Sequence, residues 1–513
     1  MQQLSAQDAS FIYLESPATP MHVGSISIYD GNEADSARLS EDAIIRAIQE
    51  RLHLVVTTRR KCVRVPFEAD YPYWVEDQDF DLEYHVRRVG LPRPGDWAEF
   101  KKLTARIFAR PLDMTKPLWE FYIIDGLDHM AGVPAGSFAL LAKTHHAAID
   151  GASGVQFMEL MHDLEPGPVR IPPPDSPWRP EPVPNDAELM LRTGLNNLSQ
   201  PMRMLEAWSN SMSSNNFGLR NLTDNYFTGQ ANPGGSVRRV PKTRFNGAVS
   251  PHRVIGSVHL KLEAVRRIKK LVAGATVNDA ILTICGGALR KYLLSKNELD
   301  EASLVAMAPV NARAPGTSTE AAGNKVSALF VPIGTDIEDP LERLLHIQAE
   351  TSASKLMHRA IGAADMTDYA QFVPAYTAAL ASRLMTQTAA NAPIPPFNVS
   401  ITNVPGPQIP LYFCGAPMIS YFGLGPITQG MGLIMPILSY RGDINISFTS
   451  CREIIPDPDF YEECILAAYD ELMALTANQS GSAPAAVEPN TDAPEPHPED
   501  SQQPSSAEPN KDD

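Results

Sequence analysis

Two α/β domains are what this chain predicts, and three observations predict them. Its 513 residues, 43% of them hydrophobic, exceed what a single core usually organises. Helix-period and strand-period patterns occur mixed in both halves. Between the halves, nine prolines fall from Pro166 to Pro184, and proline denies the backbone both a donor and helical freedom.

Each segment is justified in turn. In residues 1–165, His22 to Tyr29 alternates as a strand does, and Ile44, Ile45, Ile48 and Leu52 recur at helical spacing. Residues 166–245 open with the proline-rich linker. An amphipathic, Met-containing stretch from Ala187 to Met212 follows, then Gly, Asn and Ser to about Phe245, which reads as a helix and a long crossover. Residues 246–477 regain order, with helices expected at Leu262 to Leu271 and Val277 to Leu294, and apolar strands at Leu304 to Pro309 and Val326 to Ile333. The last stretch, 478–513, holds too few apolar residues to repay chain entropy and reads as a disordered acidic tail.

Composition excludes several function classes. The formal charge of −17 disfavours a nucleic-acid surface, which needs clustered Lys and Arg to displace counterions. From Gly481 onward eight acidic residues stand against one lysine, so the remainder carries about −10. Cys62, Cys285, Cys414, Cys451 and Cys464 are scattered, odd in number and without C-x-x-C spacing, which fits a reducing compartment. The opening MQQLSAQDASFIYLES lacks a basic segment followed by an apolar core, and no apolar run reaches the roughly 18 residues of a membrane span. A cytoplasmic protein, soluble or peripheral, is expected.

Polar chemistry concentrates where one apolar strand stops. From Ala139 to Gly154 the chain reads ALLAKTHHAAIDGASG, so the strand runs into His145 and His146, with Asp150 and Gly151 close behind. A histidine at a strand end can project into a cleft, and an ordinary pKa of about 6.5 lets it take a proton from a hydroxyl near neutral pH. Asp150 can fix the loop that aims it. Gly151 permits positive φ or close approach, and Ala152, Ser153 and Gly154 let a bulky ligand near the main chain. The competing reading is a pair of structural histidines. A metal site is disfavoured because adjacent histidines on a strand point to opposite faces, and no H-E-x-x-H accompanies them. G-x-S-x-G, the P-loop and the Rossmann glycine pattern are absent from the sequence.

On these residues the chain resembles the bacterial wax ester synthase/acyl-CoA:diacylglycerol acyltransferases, whose HHxxxDG motif stands here as His145, His146, Asp150 and Gly151. The likeness also takes in Pro20-Met21-His22-Val23-Gly24, Trp74-Val75-Glu76, Pro111-Leu112-Asp113 and Pro117-Leu118-Trp119-Glu120. Further on it includes Asn278-Asp279, Pro309-Val310-Asn311-Ala312-Arg313, Thr402-Asn403-Val404-Pro405-Gly406-Pro407 and Ser439-Tyr440-Arg441-Gly442, and it spans roughly residues 2 to 475.

The resemblance implies two chloramphenicol-acetyltransferase-like domains with a substrate tunnel between them. It implies His146 as general base, His145 as the residue that shapes the site, and Asp150 and Gly151 as loop-orienting residues. Arg313 is the expected partner of Asp150, although Asn311-Ala312 precedes it where Ser-Leu or Ser-Val is common. Asn278, Thr402 and Asn403 are candidates for substrate binding or for the oxyanion. Asn278 also reads as a helix cap, Pro405-Gly406 as a type II turn, and Pro117-Leu118-Trp119 as packing. No bound cofactor or metal is implied. Acyl-CoA is the expected co-substrate and diacylglycerol or a long-chain alcohol the acceptor, with a peripheral place at the inner membrane face or lipid droplets. The alternatives are a polyketide or glycolipid hydroxyl as acceptor, or a catalytically silent lipid-surface protein that settles through Leu189 to Trp208.

Overall fold

The computed structural model describes residues 1–149, 158, 161–174, 178, 180–196, 239–311, 326–361 and 375–480. The first 149 residues contribute β1 (Gln2–Gln3), β2 (His22–Tyr29), β3 (Arg60–Val63), β4 (Tyr73–Glu76), β5 (Val86–Gly90), β6 (Trp119–Asp125) and β7 (Phe138–His145). Their helices are α1 (Ala6–Leu14), α2 (Glu41–Gln49), α3 (Leu82–His85) and α4 (Trp97–Phe108). Local chemistry explains the ends. Ser5 and Asp96 accept the N–H groups of Asp8 and Glu99, so α1 and α4 begin on capping side chains. In α2, Ile44 and Ile48 are buried as their spacing requires, and Leu52 falls just beyond, in a 3₁₀ turn.

The second half contributes β8 (Arg253–Lys261), β9 (Val305–Asn311), β10 (Val326–Pro332), β11 (Val399–Pro405), β12 (Tyr412–Phe413), β13 (Ala416–Leu424), β14 (Leu433–Tyr440) and β15 (Asp443–Cys451). Helices α5 (Leu262–Lys269), α6 (Val277–Ser295), α7 (Pro340–Ile361), α8 (Ala375–Thr388) and α9 (Pro458–Ser480) accompany them.

These strands make two six-stranded mixed sheets and a small three-stranded one. One large sheet runs β12-β13-β2-β7-β6-β5 and the other β10-β9-β11-β14-β15-β8, while β1, β4 and β3 form the third. The first large sheet crosses the boundaries read from composition. β13 pairs antiparallel with β2, so residues far along the chain extend the sheet that carries the histidine motif. A bridge between Asp163 and Tyr412, and a buried ion pair from Arg51 to Asp163, fasten that return.

The two sheets are joined at the same place. Asn445 on β15 donates to the Tyr421 carbonyl of β13 at 2.8 Å, with both groups buried. Lys101 on α4 reaches Glu462 and Asp459 of α9 at 2.6 and 2.8 Å. One apolar core lies around α6 and the second sheet; others lie on either face of the first.

The proline-rich stretch is laid on the first half. Trp178 donates to Glu76 at 2.9 Å, and Leu189 is buried against Val65, Tyr73 and Val75. The helical stretch at 186–196 leaves Met190, Leu191 and Leu195 exposed. The crossover residues 197–238 and the tail from 481 lie outside the described residues.

Candidate active site

The site is built where β2 and β7 lie antiparallel, with His22 opposite His145. At the end of β7 the chain turns into a 3₁₀ turn, His146–Ala148, for which His145 is the N-cap. The Nδ1 of His145 accepts the Ala147 N–H at 3.0 Å, which satisfies a donor that a helix start otherwise leaves open. The His145 N–H donates to the Leu118 carbonyl at 2.9 Å, and the His146 N–H to the Met21 carbonyl at 2.8 Å. Three strand ends thus hold the turn.

The two histidines sit in different surroundings. His145 is fully buried, its Nε2 3.4 Å from Glu15 Oε2. His146 is half-buried, and its ring stacks on Phe11 of α1 with centroids 3.9 Å apart and planes 16° from parallel.

Behind the turn, a buried polar layer stiffens β7. Lys143 is wholly inaccessible; its Nζ lies 3.0 Å from Glu120 Oε2 and donates to the Arg110 carbonyl at 2.8 Å. Burial pulls its pKa below the usual lysine value, against the opposing pull of Glu120. His22 Nε2 contacts the Phe108 carbonyl at 2.5 Å, and burial, reinforced by Lys143, holds its pKa well below normal, so it is a neutral structural ring. Gly24 is required here: a Cβ would meet the Phe108 ring at 2.9 Å.

The second half supplies the opposing wall. Asn278 is the second residue of α6, not its cap; Thr276 caps the helix, in a capping box with Asp279. Asn403 on β11 donates to Asn278 at 3.3 Å and ties strand to helix. Neighbouring Thr402 projects from the opposite face. That face also carries Val404, which packs in the same cluster as Leu140 and Ala142 of β7, so Thr402 is turned toward the first sheet. Gly406 does not take the positive φ that a type II turn demands after Pro405. Glycine stands there because a Cβ would meet the Ser439 carbonyl at 2.2 Å. Leu118 and Trp119 are buried, and the Trp119 indole donates to the Thr58 carbonyl at 2.7 Å.

Asp150, Gly151 and Arg313 lie outside the described residues. Among the described residues no cluster of His, Cys, Asp or Glu is arranged to hold a metal. A cavity of about 890 Å³ opens elsewhere, between Arg170 and Trp178 of the proline-rich stretch and Gln49 and Phe80, and neither histidine lines it. Phe11 and Glu15 were missed as site residues. Their four-residue spacing, on α1 and at its C-cap just before Met21 and His22, is the signal that marks them.

Residues 4–281 match the wax ester synthase/diacylglycerol acyltransferase catalytic domain, and residues 322–473 match the WS/DGAT C-terminal domain. The chain belongs to the WS/DGAT family. It is therefore an acyltransferase of the CoA-dependent kind. Two Mycobacterium tuberculosis proteins with provisional names as diacylglycerol O-acyltransferases are similar to it. One is 30% identical, covering 89% of this chain and 87% of that protein; the other is 28% identical, covering 89% and 95%. Among solved structures, the wax ester synthase/diacylglycerol acyltransferase from Marinobacter aquaeolei VT8 aligns over 93% of this chain and all of that one, with a TM-score of 0.65 and 24% identity. The first condensation domain of the calcium-dependent antibiotic synthetase aligns over 93% and 96%, with a TM-score of 0.55 and 15% identity. The fold is thus the chloramphenicol-acetyltransferase-like one shared by WS/DGAT enzymes and condensation domains.

Proposed function

We propose that this WS/DGAT enzyme moves a long-chain acyl group from acyl-CoA directly to the hydroxyl of diacylglycerol, and to long-chain alcohols as a second acceptor, with His146 as general base. The observation that carries the reading is the placement of His146: half-buried, fixed through its backbone to Met21 and through its ring to Phe11, at the end of a strand held on both sides. A ring so held can meet a hydroxyl without losing rotamer freedom at the moment of reaction.

In the step itself, a nitrogen of His146 takes the hydroxyl proton as the oxygen attacks the thioester carbonyl. The carbon–sulfur bond then breaks, and the proton passes to the departing sulfur to give CoA thiol. A positioned base of this kind contributes about 10²- to 10⁴-fold. Thr402, turned toward the first sheet, is our candidate for contacting the oxyanion. Asn278 and Asn403 bond to each other and support β11 in that role. By the family motif we assign Asp150 and Gly151 the orientation of the loop after the base, and Arg313 the role of partner to Asp150.

The protein works from the cytoplasmic side at a membrane or lipid-droplet surface, where its acceptors reside. No described helix is long and apolar enough to cross a membrane. What supports surface docking is α8, which packs on α1 and exposes Tyr376, Leu380 and Leu384, one per turn, each more than half accessible.

The test is release of CoA thiol from palmitoyl-CoA by purified protein given diacylglycerol, hexadecanol or no acceptor, for wild type and His146→Ala. Acceptor-dependent release that falls at least about 100-fold in the variant is expected. Equal, acceptor-independent traces in both proteins would sink the proposal and favour a silent lipid-surface protein.

A further inference from the structure

We infer that Glu15 is a positioning residue for acyl transfer, acting through His145 on the turn that carries His146. The inference rests on the reading of His146 as the base. Phe11 lies on α1 and Glu15 is the residue that caps its C-terminal end, four positions on, and both reach the histidine turn. Phe11 stacks on the His146 ring. Glu15 divides its carboxylate, one oxygen accepting the Met21 N–H at 3.4 Å and the other lying 3.4 Å from His145 Nε2, on a side chain that is only 11% exposed.

Both contacts bear on the base. Met21 is the residue whose carbonyl accepts the His146 N–H, so the first contact holds the acceptor of that bond. The second bears on the tautomer of His145. Because Nδ1 accepts the Ala147 N–H, the ring carries its proton on Nε2, the nitrogen 3.4 Å from the carboxylate. A His145 protonated on Nδ1 would oppose one donor to another at Ala147 and open the first bond of the turn. An acceptor at residue 15 disfavours that tautomer. Helix α1 and its C-cap thus set the ring of His146 by stacking and its backbone by way of His145 and Met21. Displacing a reacting group by about 1 Å can cost about 100-fold in rate.

The test is steady-state kinetics of the full chain with palmitoyl-CoA and hexadecanol for Glu15→Leu, Glu15→Gln, Glu15→Asp, His146→Ala and the Glu15→Leu/His146→Ala double variant. We expect Glu15→Leu to lower kcat about 10- to 100-fold while KM for palmitoyl-CoA stays within about two-fold. Glu15→Gln keeps an acceptor oxygen at the same reach and should stay within about three-fold of wild type, whereas Glu15→Asp, one methylene short, should fall below it. A role resting on charge alone would rank Asp above Gln, and that order overturns the inference. In the double variant, Glu15→Leu should lower the residual rate of His146→Ala no further; a further drop by the full single-variant factor points to a general structural role and overturns it. If Glu15→Leu does not fold, the ranking of Gln against Asp decides alone. His146→Ala at wild-type kcat fails the base reading itself. An inactive His146→Ala beside Glu15 variants at wild-type kcat overturns only the positioning role.

Discussion

His145 and His146 are chemically identical neighbours, and burial separates their roles. One is enclosed and spends a nitrogen on the backbone; the other is half open and stacked on a ring. The same physics governs the other buried histidines. Burial holds His22, His85 and His162 below their ordinary pKa, His162 down to about 4, so each stays neutral in the fold. In the unfolded chain each takes up a proton near pH 6.5. Below about 6.5 the unfolded state therefore binds more protons than the native one. For His162, stability is complete above that pH and declines as pH falls toward about 4, by about 1.4 kcal/mol per pH unit. Denaturant unfolding of wild type and His162→Gln at pH 7, 6 and 5 checks this. The variant should lose stability less steeply by about that slope, and identical slopes would mean that His162 titrates normally in the fold.

Among the elements, α6 is packed closely on its neighbours. Gly286 lies where a Cβ would meet the Ile333 carbonyl at 2.0 Å, and Gly287 where one would meet Arg343 at 2.7 Å, so the helix sits directly on its neighbours. Its start is set by Asp279, which accepts from the Thr276 N–H at 2.7 Å and Oγ1 at 2.8 Å, and from Thr351 Oγ1 of α7 at 2.8 Å. Asp279→Ala would strip the capping box and leave the Thr351 hydroxyl only its longer bond to the Gln348 carbonyl, at a cost of about 1 to 3 kcal/mol. Thermal unfolding should show a clearly lowered midpoint; a change under about 0.5 kcal/mol would show that the cap contributes little. Because Asn278 sits one residue before and holds Asn403, loosening this helix start would also loosen β11.

For the whole molecule, the decisive feature is that two sheets meet at β13, and that α1 is packed between the histidine turn and α8. The apolar row on α8 therefore lies one helix away from His146. Phe67, 88% exposed, extends the apolar surface from the turn that α8 packs against. If this face settles on lipid, Leu380→Ser/Leu384→Ser should reduce co-sedimentation with phosphatidylcholine/phosphatidylglycerol vesicles at least about three-fold while leaving turnover of a soluble short-chain alcohol unchanged. Undiminished sedimentation would assign docking to another surface.

Local pattern determined much of this protein. Strand alternation marked β2 at His22 and Tyr29; helical spacing marked α5 and α6; and the histidine pair marked where the apolar strand β7 ends. These are effects of neighbours a few residues apart, so they are written in the order of the letters. The motif residues likewise declared the family, and with it the reaction. What only tertiary structure decided are the pairings across long stretches of chain. The sequence carries no local mark that Tyr421 and Phe422 extend the sheet of His22, because strand pairing is set by the whole sheet's register. Nor does Asn278 show by itself that Thr276 caps its helix while it bonds to Asn403. Glu15 and Phe11 stood in plain view, yet a ring on a short helix and a carboxylate at its C-cap acquire a role only once packing brings them against His145 and His146.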